Sequence, residues 1–274
     1  MPILISPTRF WQKFALGKIS KRKKFIISAF LLSLGIFGIE ISNISWRYQA
    51  IAFLAGLTYF LSAWSLAEGL NGIEWFTVLV LPTLFTAGVG LFYFLLPTAW
   101  LTRIPVIILY GLGIYVLLLV GNIFSVAAIR TIQLVRSAQA VGFLLTLLTS
   151  FFLYDTILSF RLDFWLNFLL VMLVSLPLVA QGLWSINLEE KFSLRLLVYT
   201  FSLSLIQGET AVAFSFWPVT VAVGSLALAT MLYISLGLAQ QQLAQRLFPK
   251  TINEYLRVGI IVLLVIFLTT HWGG

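Results

Sequence analysis

A few acids within otherwise apolar segments are the residues with the strongest potential for chemistry. Glu209 stands in the stretch Leu205–Val212, next to Gln207 and Thr210, inside a segment long and apolar enough to cross a bilayer. An ionisable side chain at that depth costs about 2.5–3.5 kcal/mol on insertion scales, so such residues usually serve a function. Glu209 is therefore the first candidate for a ligand or proton site.

Two further acids reach a similar predicted depth. At a rise of about 1.5 Å per residue, Glu209 lies roughly 20 Å beyond Arg195 at the inner edge of its span and about 12 Å short of Trp217. The same reasoning places Glu40 and Asp155 in the outer half of the bilayer. The sequence therefore predicts an outward-facing polar pocket that binds a ligand or a proton. Its predicted members are Glu209, Asp155, Glu40 and Gln207.

A structural role for these acids is the alternative. Each carboxylate could reach the outer interface, or pair with an arginine near that surface and hold two helices together. A shift of about two to four residues in a predicted boundary would move every acid to the interface. The arginines predicted near the outer surface are Arg47, Arg103 and Arg161.

The composition assigns the chain to the membrane proteins. Of its 274 residues, 61% are hydrophobic and only 9% are charged, whereas a soluble domain carries about 25% charged residues. Segments of about 20 apolar residues recur along the chain, and each fits a transmembrane helix. We therefore expect an all-α, polytopic transmembrane helical bundle of about nine spans, with residues 1–24 as a cytoplasmic tail and 25–274 as the transmembrane domain.

Local signals agree with nine spans. Asn71 and Glu74, like Thr251 and Glu254, have the spacing of a capping box at a helix start. Pro105 and Pro218 are predicted near helix starts, whereas Pro82 and Pro177 are predicted inside spans. The predicted spans are 25–44, 48–68, 74–96, 104–126, 138–160, 164–186, 193–215, 218–242 and 254–272.

The basic residues place the N-terminus inside. With nine spans, fourteen Lys and Arg residues fall in inner segments and three in outer segments, as the positive-inside rule expects. The fourteen inner residues are Arg9, Lys13, Lys18, Lys21, Arg22, Lys23, Lys24, Arg130, Arg136, Lys191, Arg195, Arg246, Lys250 and Arg257.

Two basic regions are candidates for contact with anionic lipids or a partner. In the tail, Thr8 can cap a short helix to about Ile19 that lies on an anionic leaflet, with a frayed tail as the alternative. Between spans four and five, the basic residues share a helical face, with an ordinary inner loop as the alternative. The candidate contact residues are Lys21, Arg22, Lys23, Lys24, Arg130 and Arg136.

The residue inventory excludes several kinds of chemistry. The chain has no cysteine and one histidine, His271, which excludes iron–sulfur clusters, c-type haem and disulfides. It has no Walker-type loop and no Gly-x-Ser-x-Gly elbow. We expect no metal or other cofactor and no nucleic-acid partner. The expected partners are membrane lipids, other membrane proteins or further copies of the chain, in a bacterial inner membrane.

Three function classes remain open. The first is transport or lipid handling through the outer polar pocket around Glu209. The second is a non-catalytic subunit or scaffold of a membrane complex, which predicts acids paired within the protein and an apolar outer face. The third is an enzyme acting on a lipid-linked substrate, and the scarcity of polar residues disfavours it, so catalysis is not expected.

Overall fold

The structure is a computed structural model that describes residues 20–41, 46–96, 100–128 and 133–270. These parts contain nine α-helices and no strand. Backbone polar groups in lipid must be satisfied within the segment, which favours helices in such an apolar chain. The helices are α1 (Lys21–Ile41), α2 (Arg47–Leu66), α3 (Glu74–Tyr93), α4 (Trp100–Ala127), α5 (Val135–Ser159), α6 (Phe164–Asn187), α7 (Leu194–Ser215), α8 (Val221–Leu243) and α9 (Pro249–Thr269).

The predicted fold class, a polytopic transmembrane helical bundle, is confirmed. Within the described ranges, eight helices, α2 to α9, are long and apolar enough to cross a membrane. Helix α1 occupies the position of the first predicted span and begins with the basic run Lys21–Lys24. The predicted tail helix ending near Ile19 lies outside the described residues.

The local signals are confirmed in part. The Glu74 carboxylate accepts a hydrogen bond from the Asn71 backbone N–H at 3.1 Å, which is one half of the predicted capping box. The Thr251 prediction is wrong, because α9 begins two residues earlier, with Pro249 in its first turn and Phe248 at the N-cap. Proline suits the first helical position, because the N–H that it lacks would have no partner there.

The prolines follow the predicted pattern with one exception. Pro82 lies inside α3 and Pro177 inside α6, and Pro218 precedes α8. Pro105 lies inside α4, because that helix begins at Trp100, earlier than predicted.

The helices form two compact units, residues 1–138 and 139–274, which we call unit 1 and unit 2. In unit 1, α1 to α4 are joined by buried hydroxyl groups. The Ser28 and Ser65 hydroxyls lie 2.8 Å apart, and the Thr86 hydroxyl lies 3.0 Å from that of Thr58 and 2.9 Å from that of Tyr110.

Unit 2 packs α5, α6, α7 and α8 around one apolar cluster. Its buried members are Tyr154, Ile157, Val171, Ala211 and Leu228. Helix α9 packs against α8, where Gly259 faces Ile234.

In unit 2, neighbouring helices run antiparallel, and polar contacts join the ends that lie side by side. At one end, Gln139 at the start of α5 donates to the Ser185 carbonyl near the end of α6, at 2.7 Å. At the opposite end, Asn167 near the start of α6 donates to Ser215 at the end of α7, at 3.0 Å. Trp217 after α7 also donates to Thr270 at the end of α9, at 2.9 Å. The ends of α5, α7 and α9 therefore lie on the side that the charge pattern predicts to be outer.

Candidate functional site

Helix α7 presents one face to the interior of unit 2 and carries Glu209 on the other. Gln207, Gly208 and Ala211 are buried on its inner face, whereas Glu209 is exposed. Two residues correspond to about 200° around an α-helix. Glu209 therefore points about opposite to both Gln207 and Ala211, which belongs to the apolar core of the unit.

The distance of Glu209 from the end of α7 bears on its depth in the membrane, which stays a prediction. Glu209 precedes the end of α7 at Ser215 by six residues, which corresponds to about 9 Å along the helix. An acid exposed on the lateral face of a span at that depth faces lipid, another polypeptide or water admitted from the outer side.

Asp155 lies inside unit 2. Its residue exposure is 6%, and its Oδ1 accepts a hydrogen bond from the Ser225 hydroxyl of α8 at 2.9 Å. Asp155 precedes the end of α5 at Ser159 by four residues, or about 6 Å. This carboxyl group is thus buried at the end of the unit that the charge pattern predicts to be outer, and a neutral donor holds it.

Gln207 also contacts α8. Its side chain is fully buried. In the amide orientation that pairs both polar atoms, its nitrogen donates to the Leu228 carbonyl and its oxygen accepts from the Leu232 N–H, each at 3.1 Å. The same oxygen accepts from the Ser235 hydroxyl at 3.3 Å. The amide therefore bonds directly to the backbone of the neighbouring helix.

The predicted members of the pocket thus divide into two groups. Asp155 and Gln207 both bond to α8, at Ser225 and at Leu228, one helical turn apart. Glu209 lies on the outward face of α7. The side chain of Glu40 lies outside the described residues, so a pocket shared by all four stays a prediction.

One arginine near the predicted outer surface packs against aromatic rings. The Arg47 guanidinium lies 5.3 Å from the Tyr48 ring centroid and 5.1 Å from that of Phe94, a geometry that favours cation–π attraction. Arg161 is exposed in the turn after α5, with a positive φ of 49°.

The basic residues at the start of α1 differ in their surroundings. Arg22 and Lys23 are exposed, whereas Lys24 is buried and donates to Glu68 at 3.0 Å. Lys21 lies 3.7 Å from the same carboxylate. The hydrogen bond from Lys24 lowers the pKa of Glu68 below its ordinary value.

These surroundings bear on the predicted lipid contact. Arg22 and Lys23 are free to face lipid head groups, and so is Arg136, which is exposed at the start of α5. Arg130 lies outside the described residues. Contact with anionic lipid stays a prediction for the whole group.

A row of polar contacts between α5 and α6 was not predicted. It consists of Gln139 with Ser185, Thr146 with Gln181 at 3.2 Å, and Tyr154 with Ser175 at 2.7 Å. We call these three pairs the α5–α6 polar row. Sequence reasoning that searched for charged residues missed it, because each member is one neutral group in an apolar stretch. The recurrence of Gln139, Thr146 and Tyr154 at about two-turn intervals was the available signal.

The described residues hold no group of three His, Cys, Asp or Glu side chains suited to a metal ion. A family model described as "Protein of unknown function (DUF5656)" matches residues 26–269. The chain therefore belongs to that family. No curated protein and no solved structure matches it significantly.

Proposed function

Since the family description names no activity, we propose on physical grounds that this multi-pass membrane protein handles a lipid or a similar amphiphile. Glu209 is the acid that faces the ligand. The observation that carries the proposal is the exposure of Glu209 on the lateral face of α7, while Gln207, Gly208 and Ala211 beside it are buried. The expected location is a bacterial inner membrane.

The position of Glu209 favours a lipid over a solute held in an enclosed channel. A carboxylate within the apolar layer needs a polar partner, and Glu209 is oriented away from the interior polar groups of unit 2. An amphiphile brings a polar head group to this depth while its chains remain in lipid. A head group with an amine matches the charge and supplies hydrogen-bond donors.

The test compares two photoactivatable lipids with identical chains, one with a primary amine head group and one with a quaternary ammonium head group. Only the primary amine donates hydrogen bonds. Wild-type protein in nanodiscs should be labelled on α7 preferentially by the primary amine. A hydrogen bond involving a charged group contributes about 1.5–3 kcal/mol, so Glu209→Gln should reduce that preference by about tenfold or more.

Asp163→Asn is the matched control, because Asp163 is an exposed acid just before α6, at the same end of unit 2. It should leave the head-group preference unchanged. Equal labelling by both lipids in wild-type protein, or an unaltered preference in Glu209→Gln, would overturn the proposal.

A second candidate is a scaffold subunit, which one observation favours. Only 11% of the most apolar window of α9 is buried, against 33–56% for the other seven candidate spans among the described residues. Glu254 and Arg257 are both exposed near the start of α9, and opposite charges on one surface can pair reciprocally across a two-fold axis.

Since the chain has no cysteine, Leu264→Cys provides a single reactive thiol on α9. Disulfide-linked dimers in native membranes would support a second copy at α9, and their absence would count against it.

A further inference from the structure

The α5–α6 polar row extends through most of the apolar thickness of unit 2. From Gln139 to Asp155 the helical rise is about 24 Å, against about 30 Å for the hydrocarbon core. Thr149 and Ser150, both fully buried, lie between the Thr146 and Tyr154 pairs. Helix α5 therefore carries hydrogen-bonding groups along most of its buried length.

Other polar atoms inside unit 2 lack a protein partner. Among the described residues, the Thr200 and Ser204 hydroxyls and Oδ1 of Asn167 are buried and make no hydrogen bond. Thr200 and Ser204 lie one turn apart on the inner face of α7, which also carries Gln207. Buried polar atoms of this kind bind ordered water. These unpaired atoms are therefore the candidate positions for water inside unit 2.

Asp155 is the only carboxyl group in the sequences of α5, α6 and α8. The other ionisable groups on these helices are Arg136 at the inner start of α5, Tyr154, whose hydroxyl lies 2.7 Å from Ser175, and Tyr233, whose ring packs on Tyr255. Helix α7 contributes Arg195, Tyr199 and Glu209, of which Arg195 and Glu209 are exposed. One isolated carboxyl group suits a proton, since metal cations of the calcium or magnesium type take six or more oxygen ligands.

We propose that unit 2 conducts protons along the α5–α6 polar row, with Asp155 as the proton-binding group at the outer end. A hydronium ion at the outer side transfers its proton to the Asp155 carboxylate and becomes water. The carboxyl group then gives that proton to a water molecule inside the unit and becomes a carboxylate again. Waters held by the unpaired hydroxyls of Ser204 and Thr200 carry the proton towards Gln139 at the inner end. Nothing is oxidised or reduced, and the proton gradient or membrane potential drives the flux.

Ser225 is a positioning residue in this scheme. Its hydroxyl donates to Oδ1 of Asp155 and so fixes the orientation of that carboxyl group. The proposal goes beyond lipid handling, because it uses the interior of unit 2 rather than its lipid-facing surface.

The test uses full-length protein in liposomes that contain a pH-sensitive dye, with a valinomycin potassium potential as the driving force. Wild-type protein should conduct protons well above protein-free liposomes. Asp155→Asn should reduce the flux to the protein-free level. Asp163→Asn, an exposed acid just before α6, is the matched control and should conduct as wild type.

Two milder variants keep the test decisive if Asp155→Asn does not fold. Ser225→Ala should conduct with an altered pH profile, because the carboxyl group loses the donor that positions it. Tyr154→Phe should conduct less than wild type, because it interrupts the polar row. Wild-type flux at the protein-free level overturns the proposal. So does a folded Asp155→Asn protein that conducts normally, or an unchanged flux and pH profile in both milder variants. This measurement reports proton flux and not lipid binding, so each of the two proposals can fail while the other holds.

Discussion

Substituting Gly208 by alanine tests how closely α6 and α7 approach. A Cβ atom at Gly208 would lie 2.9 Å from Cδ2 of Phe168 and 3.0 Å from its backbone oxygen. A backbone carbonyl cannot rotate away as a flexible side chain can, so one helix must shift. Overpacking of this kind costs about 1–3 kcal/mol, and alanine recovers about 1 kcal/mol of helix propensity relative to glycine.

Gly56→Ala is the matched control. A Cβ atom at Gly56 would meet nothing within 4 Å, so this variant gains the propensity without a clash. Because the propensity gain is common to both variants, the difference between them isolates the packing cost. We expect Gly208→Ala to be less stable than Gly56→Ala by about 1–3 kcal/mol, measured as the free energy of unfolding in mixed micelles. Equal stability of the two variants would refute the close approach, and with it the orientation of Glu209 on α7.

The other predictions concern polar contacts within one unit. Glu68→Ala should destabilise by about 1 kcal/mol, since Lys24 is buried but Glu68 is half-exposed. Because the pKa of Glu68 is lowered in the folded protein, its contribution to the free energy of unfolding is complete above the ordinary carboxyl pKa. That contribution is lost as pH falls through the folded-state value, so Glu68→Ala should flatten the acid limb of a stability–pH curve. Tyr110→Phe removes the contact with Thr86 and should cost about 0.6 kcal/mol, at most about 1.7, in micellar unfolding. Gln207→Leu should cost a similar amount by the same measurement, and a cost above about 3 kcal/mol would contradict both.

The sequence predicted the helices well because lipid restricts what a backbone can do. In an apolar medium each crossing must satisfy its own N–H and C=O groups, so hydropathy and length suffice to locate helices. The predicted start of span three at Glu74 coincides with the start of α3. The start of α9 was missed because Pro249 begins the helix before the apolar residues do.

The candidate site was less predictable, because depth and direction are separate properties. The position of Glu209 between Arg195 and Trp217 predicts its depth, whereas its direction depends on which face of α7 packs against α6 and α8. That face is marked by small and neutral residues, among them Ser204, Gly208 and Ala211. A search of the sequence that gives most weight to charged residues passes over these positions.

Gln207 and Glu209 show which polar side chains unit 2 buries and which it leaves exposed. Gln207 is neutral and offers both a donor and an acceptor, so it can be buried against the Leu228–Leu232 backbone of α8 without leaving a charge unpaired. Glu209 lies two residues further on, on the exposed face of the same helix, so its charge is not held by the interior of the unit. Asp155 is the exception, a carboxyl group kept inside by a single hydroxyl donor. Exceptions of that kind are retained at a cost to stability, which is why the proton-binding role is assigned to Asp155 and the ligand-facing role to Glu209.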